Sequence, residues 1–217
     1  MKPKTFTLTL AVDTDGVCAS QTTAGAGSLS LNGALVGADP QLSAYYTSTT
    51  AQQLNLTSAG NLSALTFTVT GKGYSSTGVY NDSISEAITG PNATTVESSN
   101  YFLEISDISA DGAVGSAVTI GVVDEAISPI IPIDSYAEVT SIQTGVTGTI
   151  NYTAHYTLSN VYDASVTADW TAVSSDLTTA TASQVASLAK GVTALRLIVH
   201  SGSDAGAVRM HVAQSRG

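Results

Sequence analysis

An all-β fold made of two small antiparallel sandwiches, of the jelly-roll or immunoglobulin-like kind, is predicted for this chain of 217 residues. Three observations predict it. Apolar residues alternate with Thr and Ser in short runs, which is the period of a strand with one buried face. Gly, Asn and Asp punctuate those runs as turn residues do. The period of an amphipathic helix is nearly absent, so we expect at most one short helix.

The predicted strands follow one another along the chain. The first is residues 5–12, where Phe6, Leu8 and Leu10 share one face and threonines occupy the other. The second is residues 65–70, which alternate as regularly and end at a Gly-Lys-Gly turn. Further strands are predicted at residues 83–88, 101–105, 117–123, 137–142, 147–158, 165–172, 194–200 and 207–214.

Residues 181–190 are the one place where a helix competes with a strand. This segment is rich in alanine, has Val185 and Leu188 three positions apart, and is followed by Gly191, a residue common just after a helix. The β-branched and hydroxyl-bearing residues before it oppose a helix. A short helix and a non-helical segment both remain open here.

Two domains separated by a short linker are predicted from the position of two prolines. Pro129 and Pro132 cannot donate to a central ladder and hold the chain extended around them. Residues 127–134 are therefore predicted to be a linker, packed through its isoleucines. The linker separates an N-terminal sandwich of residues 1–126 from a C-terminal sandwich of residues 135–217.

The charge balance and the cysteine content exclude several classes of protein. A formal net charge of −10 opposes binding to a nucleic-acid backbone. Cys18 is the only cysteine, so no internal disulfide and no cysteine-pair metal site is expected. The apolar run in residues 5–12 alternates with threonine and meets Asp13 at once, unlike a signal peptide. No window has the apolar length of a membrane helix, so we expect no membrane partner.

No constellation of side chains predicts catalysis, a cofactor or a metal. Asp13, Asp15 and Gly16 resemble the start of a calcium loop, but the later ligands are absent. His200 and His211 lie on two strands joined by a short loop, so a two-histidine site is conceivable, although a solvated face explains them more simply. Serine-hydrolase, zinc-protease, phosphate-loop and dinucleotide motifs are absent, so we expect no enzyme. A hydrolase or lyase using acids near strand ends is the weakest alternative, with Glu97, Glu104 and Asp107 as its residues.

Two stretches of the chain carry a recognisable pattern of strands and turns. The first comprises residues 16–21, 26–36, 54–61, 65–71, 86–92 and 101–110, and the second comprises residues 148–157, 169–170, 192–202 and 207–214. Both resemble β-modules that recur in minor virion structural proteins of tailed bacteriophages, although residues 72–80 and 181–190 depart from that pattern. The resemblance implies a virion location, either as a head decoration protein or at the collar and tail interface. It implies copies of itself and major capsid, portal or tail proteins as partners, and it assigns no functional residue.

If the chain is a homo-oligomer, we expect the contact to use its most apolar segments, residues 117–123 and 128–133. The candidate interface residues are Val118, Ile120, Val122, Ile130, Ile131 and Ile133. Replacing Ile130 and Ile131 with Asp is expected to dissociate the oligomer and to leave the β-sheet circular dichroism unchanged.

Nine tyrosines, more than Phe and Trp together, support an alternative function. Tyrosine offers an apolar face and a polar tip, which suits sugar stacking as well as protein interfaces. The alternative is therefore a carbohydrate-binding or adhesin module of a phage spike or fibre. The tyrosines considered for it are Tyr45, Tyr46, Tyr74, Tyr80, Tyr152, Tyr156 and Tyr162.

Overall fold

The computed structural model describes residues 3–37, 45–161, 167–189 and 191–215. The all-β prediction is confirmed: the sheets are antiparallel, and a single 3-10 turn at Ser175–Leu177 is the only helical element among the described residues. The strands are β1 (Lys4–Thr9), β2 (Asp13–Gln21), β3 (Gly27–Ser28), β4 (Val36–Gly37), β5 (Tyr45–Ser58), β6 (Thr66–Tyr74), β7 (Tyr80–Thr89), β8 (Thr95–Glu97), β9 (Tyr101–Ala110), β10 (Val118–Ile127), β11 (Ile131–Pro132), β12 (Val139–Thr147), β13 (Ile150–Thr157), β14 (Thr171–Ala172), β15 (Val185–Ala189), β16 (Ala194–Gly202) and β17 (Ala207–Ser215).

The chain divides into two compact units. The first unit is residues 11–126, and the second unit is residues 1–10 together with residues 127–217. No helix in the described part of the chain has the length and apolarity that crossing a lipid bilayer requires.

The first unit is built around the strand order β10-β5-β9-β6-β7, with β2 added to β10. The short strands β4 and β8 pair with β5, and β3 pairs with β9. Alternation along β6 buries Phe67 and Val69, and two register shifts in β9 keep Phe102, Ile105 and Ile108 on the same buried side; all five are fully enclosed. Each such side chain contributes about 1.5–3 kcal/mol to folding.

The second unit is a sandwich of two sheets. One sheet has the strand order β1-β17-β12-β15, and the other contains β14, β13, β16 and β11. The phenol of Tyr152 on β13 is fully buried and shares a hydrogen bond of 2.6 Å with the hydroxyl of Thr144 on β12. It also lies 2.9 Å from the carbonyl oxygen of Ala182. These bonds tie the two sheets together with a polar group that burial would otherwise leave unsatisfied.

The division of the chain differs from the predicted one at two places. Residues 1–10 belong to the second unit because β1 pairs with β17 along six residues. Residues 127–134 also belong to it because β11 pairs with β16 and the hydroxyl of Ser128 accepts a hydrogen bond from the Leu197 backbone N–H at 2.8 Å. The predicted linker is thus packed, as expected from its isoleucines, but it belongs to the second unit instead of separating two domains.

At the alanine-rich segment 181–190, where a short helix and a non-helical segment were both open, the structure has strand β15, which pairs with β12 and turns Leu188 inward. Strand β5, the longest of the described strands, was not predicted. Of the strand predicted at residues 165–172, only Thr171–Ala172 is a strand, and residues 162–166 lie outside the described part of the chain.

Candidate functional site

Three of the six candidate interface residues lie in the core of the first unit. Val118, Ile120 and Val122 project from β10 and are fully buried. Their neighbours are other core side chains of the same unit. These three side chains therefore leave no apolar surface for a second copy.

The other three candidate residues lie in the second unit. Ile131 belongs to β11 and is only 9% exposed. Ile130 and Ile133, which flank β11, are half-buried. The accessible part of the predicted interface is therefore reduced to these two isoleucines.

A groove of about 360 Å³ opens beside Ile130. Phe6 on β1 lines one side of it and residues 129–132 line the other. Met210 and Val212 of β17, both buried, close its base. The groove was not predicted, because its lining comes from three segments that lie far apart in the sequence, near residues 6, 130 and 211.

The groove exists because a sandwich edge is left open. Strand β1 is the outer strand of its sheet, and β11 is only two residues long and includes Pro132, which has no N–H to donate to a ladder. One charged group lines the groove: the ammonium of Lys4 donates a hydrogen bond of 2.6 Å to the carbonyl oxygen of Pro132. The result is an open apolar edge with a cation at its mouth.

The sheet that carries this edge contains no acidic residue. The chain has 17 acidic residues, yet strands β1, β17, β12 and β15 hold none of them. The outer face of the sheet is mostly Thr, Ser, Ala and Val, with Arg209 as its cation. Arg209 stands opposite Gly145, and a hollow of about 190 Å³ beside them is also lined by Gln143 and His211. The strands of this sheet, called the acid-free sheet (β1, β17, β12 and β15), therefore add no negative charge to the surface of a strongly acidic protein.

A cluster of aromatic and basic side chains lies on the other sheet of the second unit. Arg196 is 8% exposed, and its guanidinium lies 4.2 Å from the centroid of the Trp170 ring, a cation–π contact. His155 stands opposite Arg196 in the ladder between β13 and β16. The Nε2 of His200 lies 2.9 Å from the hydroxyl of Thr153. The sequence offered no signal for this cluster, because its members come from three separate segments.

This cluster disfavours the charged forms of its histidines. Burial, the Arg196 guanidinium and His200 together lower the pKa of His155 from 6.5 to about 4. Burial also lowers the pKa of His200. His155 Nδ1 is buried with no hydrogen-bond partner among the described residues, so a charged imidazole here would be poorly stabilised.

We expect the second unit to lose stability as the pH falls from about 6.5 towards 4. In this window the unfolded chain protonates His155 and the folded chain does not, so protons favour unfolding. The expected contribution is about 1–2 kcal/mol, after allowance for solvent around a half-exposed ring. Urea unfolding followed by the fluorescence of Trp170, the only tryptophan, measures it. Between neutral pH and pH 4, the free energy of unfolding of the wild type should fall more than that of His155→Gln. A difference between the two proteins that does not change with pH would contradict the prediction.

The structure does not support the two-histidine site considered for His200 and His211. His200 lies on β16 and His211 on β17, and these strands belong to different sheets. His211 Nδ1 lies 2.9 Å from the hydroxyl of Thr5 instead. Within the described residues, no group of three His, Cys, Asp or Glu side chains is placed to hold a metal ion.

The aspartates of the calcium-like motif serve a turn at the start of β2. The Asp15 backbone N–H donates to the Asp13 carboxylate at 3.2 Å. The Asp13 carboxylate also raises the pKa of the exposed Asp15 side chain. Both effects are those of two neighbouring carboxylates on a turn, and neither indicates a ligand.

The tyrosines do not form a common platform. Tyr46, Tyr74 and Tyr152 are buried, and Tyr45 and Tyr162 have side chains outside the described residues. Tyr80 is exposed at the end of the β6–β7 hairpin, where its ring packs edge-on against Tyr74 with centroids 5.4 Å apart. Its hydroxyl donates to Asp82 at 2.8 Å.

One of the three acids considered for hydrolysis has a cation as its partner. The carboxylate of Glu104 is 3.0 Å from the ammonium of Lys72, and both side chains are partly exposed. This is a surface ion pair, whose usual contribution is below about 1 kcal/mol. Glu97 lies on β8 and Asp107 on β9.

Comparisons with known proteins leave the family open. No protein-family model matches the chain, and no curated protein matches it. Among solved structures, it is similar to a chain in the structure of infectious bursal disease virus, Gx strain. The similarity covers 97% of this chain and 71% of that chain, with 14% identity and a TM-score of 0.20. A TM-score this low does not establish a common fold, so the similarity says nothing about function.

Proposed function

We propose that this chain is a structural, non-catalytic component of a tailed-phage virion that assembles with copies of itself. Its position would be the head surface or the collar and tail interface, with major capsid, portal or tail proteins as its other partners. The resemblance of the sequence to virion β-modules supports the virion assignment. The apolar groove beside Ile130 supports the assembly.

The groove is the observation that supports assembly, because its apolar surface is unfavourable when exposed to water. Phe6 and Ile130 are half-buried and line a concave apolar surface that a second protein surface would dehydrate. Dehydrating apolar area is worth roughly 25 cal/mol per Å², and a concave surface gives a partner many contacts.

The partner best suited to the groove is another copy of this chain. Each copy has a formal net charge of −10, so copies repel one another over most of their surface. The groove lies on the acid-free sheet and has the ammonium of Lys4 at its mouth. A second acidic copy therefore meets less repulsion here than at the acidic surfaces.

We expect the change Ile130→Asp to weaken self-association by at least about tenfold in dissociation constant, because it places a carboxylate in the groove. Native mass spectrometry at micromolar concentration measures the effect. Ile130 is a better target than Ile131, whose near-complete burial in β11 would confuse dissociation with unfolding. Leu158→Asp is the matched control, since Leu158 is 63% exposed and does not line the groove. An Ile130→Asp protein that assembles like the wild type would refute the role of the groove.

The virion assignment has its own test. The purified chain is mixed with assembled shells, with free capsid subunits and with portal–tail complexes, and cosedimentation is measured. Binding to assembled shells alone indicates a decoration protein, and binding to portal–tail complexes indicates a collar position. Binding to none of them would refute the virion assignment.

Carbohydrate binding is the weaker candidate. Sugar stacking usually needs an accessible aromatic face with polar groups around it. Of the tyrosines considered for it whose side chains are described, Tyr80 is the exposed one, with Asp82, Lys72 and Glu104 close to it. Its ring already packs against Tyr74 and its hydroxyl already bonds Asp82, so carbohydrate binding has less support here than the groove gives assembly.

A further inference from the structure

The two outer strands of the acid-free sheet are unprotected edges. Strand β15 has no charged residue, and Val185 at its start is 72% exposed. Strand β1 has a charge only at Lys4, its first residue. Neither strand has a second neighbour among the described strands. Natural sheets usually protect such edges with charged residues, proline or shortness, because free backbone groups recruit another strand.

Other edge strands in this protein do carry that protection. Strand β7, at the edge of the first unit, contains Asp82 and Glu86. Strand β14, at an edge of the second unit, is only two residues long. By comparison, β15 contains no charged residue or proline, and β1 has a charged residue only at its first position, Lys4.

The directions of the two edges are compatible with one continuous sheet. Strand β1 is antiparallel to β17, β17 is antiparallel to β12, and β12 is antiparallel to β15. It follows that β15 runs opposite to β1. If a second copy continues the sheet in the same orientation, its β1 lies antiparallel to β15 of the first copy, as every other pair in the sheet does.

We propose that copies of this chain join edge to edge, with strand β15 of one copy pairing with strand β1 of the next. This inference rests on the proposed self-assembly and names the surfaces that perform it. Pairing between two β1 edges, or between two β15 edges, would leave the other unprotected edge exposed in every copy. Pairing β15 with β1 uses both edges of each copy.

The chemistry of the sheet supports a second copy as the partner. Because none of its four strands contains an acidic residue, joining two sheets brings no pair of carboxylates together. The contact is also continuous with the groove, since Phe6 of β1 lines it. A neighbouring β15 beside β1 would therefore lie along the open side of the groove.

A contact between two different surfaces has a consequence for the assembly. Such head-to-tail contacts give a closed ring when the rotation between copies closes, and a filament when it does not. A ring built this way leaves neither β1 nor β15 unpaired. It would suit a site of cyclic symmetry on a virion.

The test uses two edge variants with matched controls. Thr7→Lys places a cation on β1 and Ser187→Lys places one on β15, both at exposed positions. The controls are Thr147→Lys and Ser141→Lys, exposed residues of the interior strand β12; Ser141 stands directly opposite Ser187. Native mass spectrometry of each full chain, and of equal mixtures of the two edge variants, gives the oligomeric state.

We expect each edge variant alone to lose the wild-type oligomer, with a dissociation constant raised at least about tenfold, while both controls retain it. An equal mixture of Thr7→Lys and Ser187→Lys should form a one-to-one heterodimer, because each variant supplies the edge that the other lacks. Loss of assembly with only one of the edge variants would show same-edge pairing and overturn the inference. Assembly unchanged in both would overturn it while leaving self-assembly through another surface intact. A monomeric wild type would overturn it as well, and shell binding would then decide the proposed function separately.

Discussion

The change Gln52→Leu is expected to destabilise the first unit by about 3–5 kcal/mol. Gln52 on β5 is fully buried, yet its side-chain amide is fully used. The amide nitrogen donates to the carbonyl oxygens of Ala11 at 3.2 Å and Val123 at 2.6 Å. The amide oxygen accepts from the backbone N–H of Ala11 at 3.1 Å. Leucine fills a similar volume but leaves three backbone groups without these partners.

Cys18 provides the measurement. It is the only cysteine, it is fully buried in the first unit, and burial raises its pKa to about 12, so it reacts with a thiol reagent only after that unit opens. Labelling in increasing urea should show the midpoint of Gln52→Leu well below that of the wild type. The control is Gln53→Leu, the next residue, which is half-buried and makes one long bond of 3.4 Å to Ser99. Equal midpoints for the two variants would contradict the prediction.

Gln52 also explains why sequence reasoning missed strand β5. A strand with one buried face is recognised by apolar residues at every second position. In β5 the polar residues Thr50, Gln52 and Asn55 are buried among the apolar ones, so this alternation is lost. The buried amides are satisfied by backbone groups of other segments, as where Asn55 accepts from the Gly121 N–H at 2.9 Å. A local sequence pattern cannot predict hydrogen-bond partners that lie far away in the sequence.

The strands that were predicted correctly have a regular alternation of their own, so they can be recognised without knowing which strands they pair with. Strand β6 alternates threonine with buried apolar residues, and β17 places Val208, Met210 and Val212 on one face. Such patterns depend only on one buried face. No local window of the sequence indicates that β1 pairs with β17, because the two strands lie near opposite ends of the chain. This pairing is the reason that residues 1–10 belong to the second unit.

The candidate interface shows the same limit. Val118, Ile120 and Val122 were selected because they are apolar, but a core strand and an interface strand share that property. Burial separates them: these three are enclosed, whereas Ile130 and Ile133 keep accessible surface. The sequence does contain one relevant feature: the segments that form β1, β12, β15 and β17 contain no acidic residue. It gains meaning only when the structure shows that these four segments are neighbours.

The change Gly71→Ala is expected to destabilise the first unit by more than about 3 kcal/mol, because β6 and β9 approach too closely there to admit a methyl group. A Cβ on Gly71 would lie 1.8 Å from the carbonyl oxygen of Glu104 and 3.0 Å from the Cα of Ile105. Both are backbone atoms, which cannot rotate away as a side chain can. The approach coincides with a break in register between Thr70 and Gly71, where β9 has one extra residue and is bulged against β6.

The close approach of β9 therefore requires a glycine at position 71, and a larger residue there would also disturb neighbouring surface contacts. Moving β6 away from β9 would disturb the adjacent pair of Lys72 and Glu104 and expose the core beneath Phe102. Cys18 labelling again measures the stability of this unit, with Gly115→Ala as the control, since a Cβ on Gly115 meets no atom within 4 Å. The control should label like the wild type to within about 0.5 kcal/mol, and Gly71→Ala should label at much lower urea. Wild-type labelling of Gly71→Ala would mean that β6 and β9 can separate at this bulge without loss of the core.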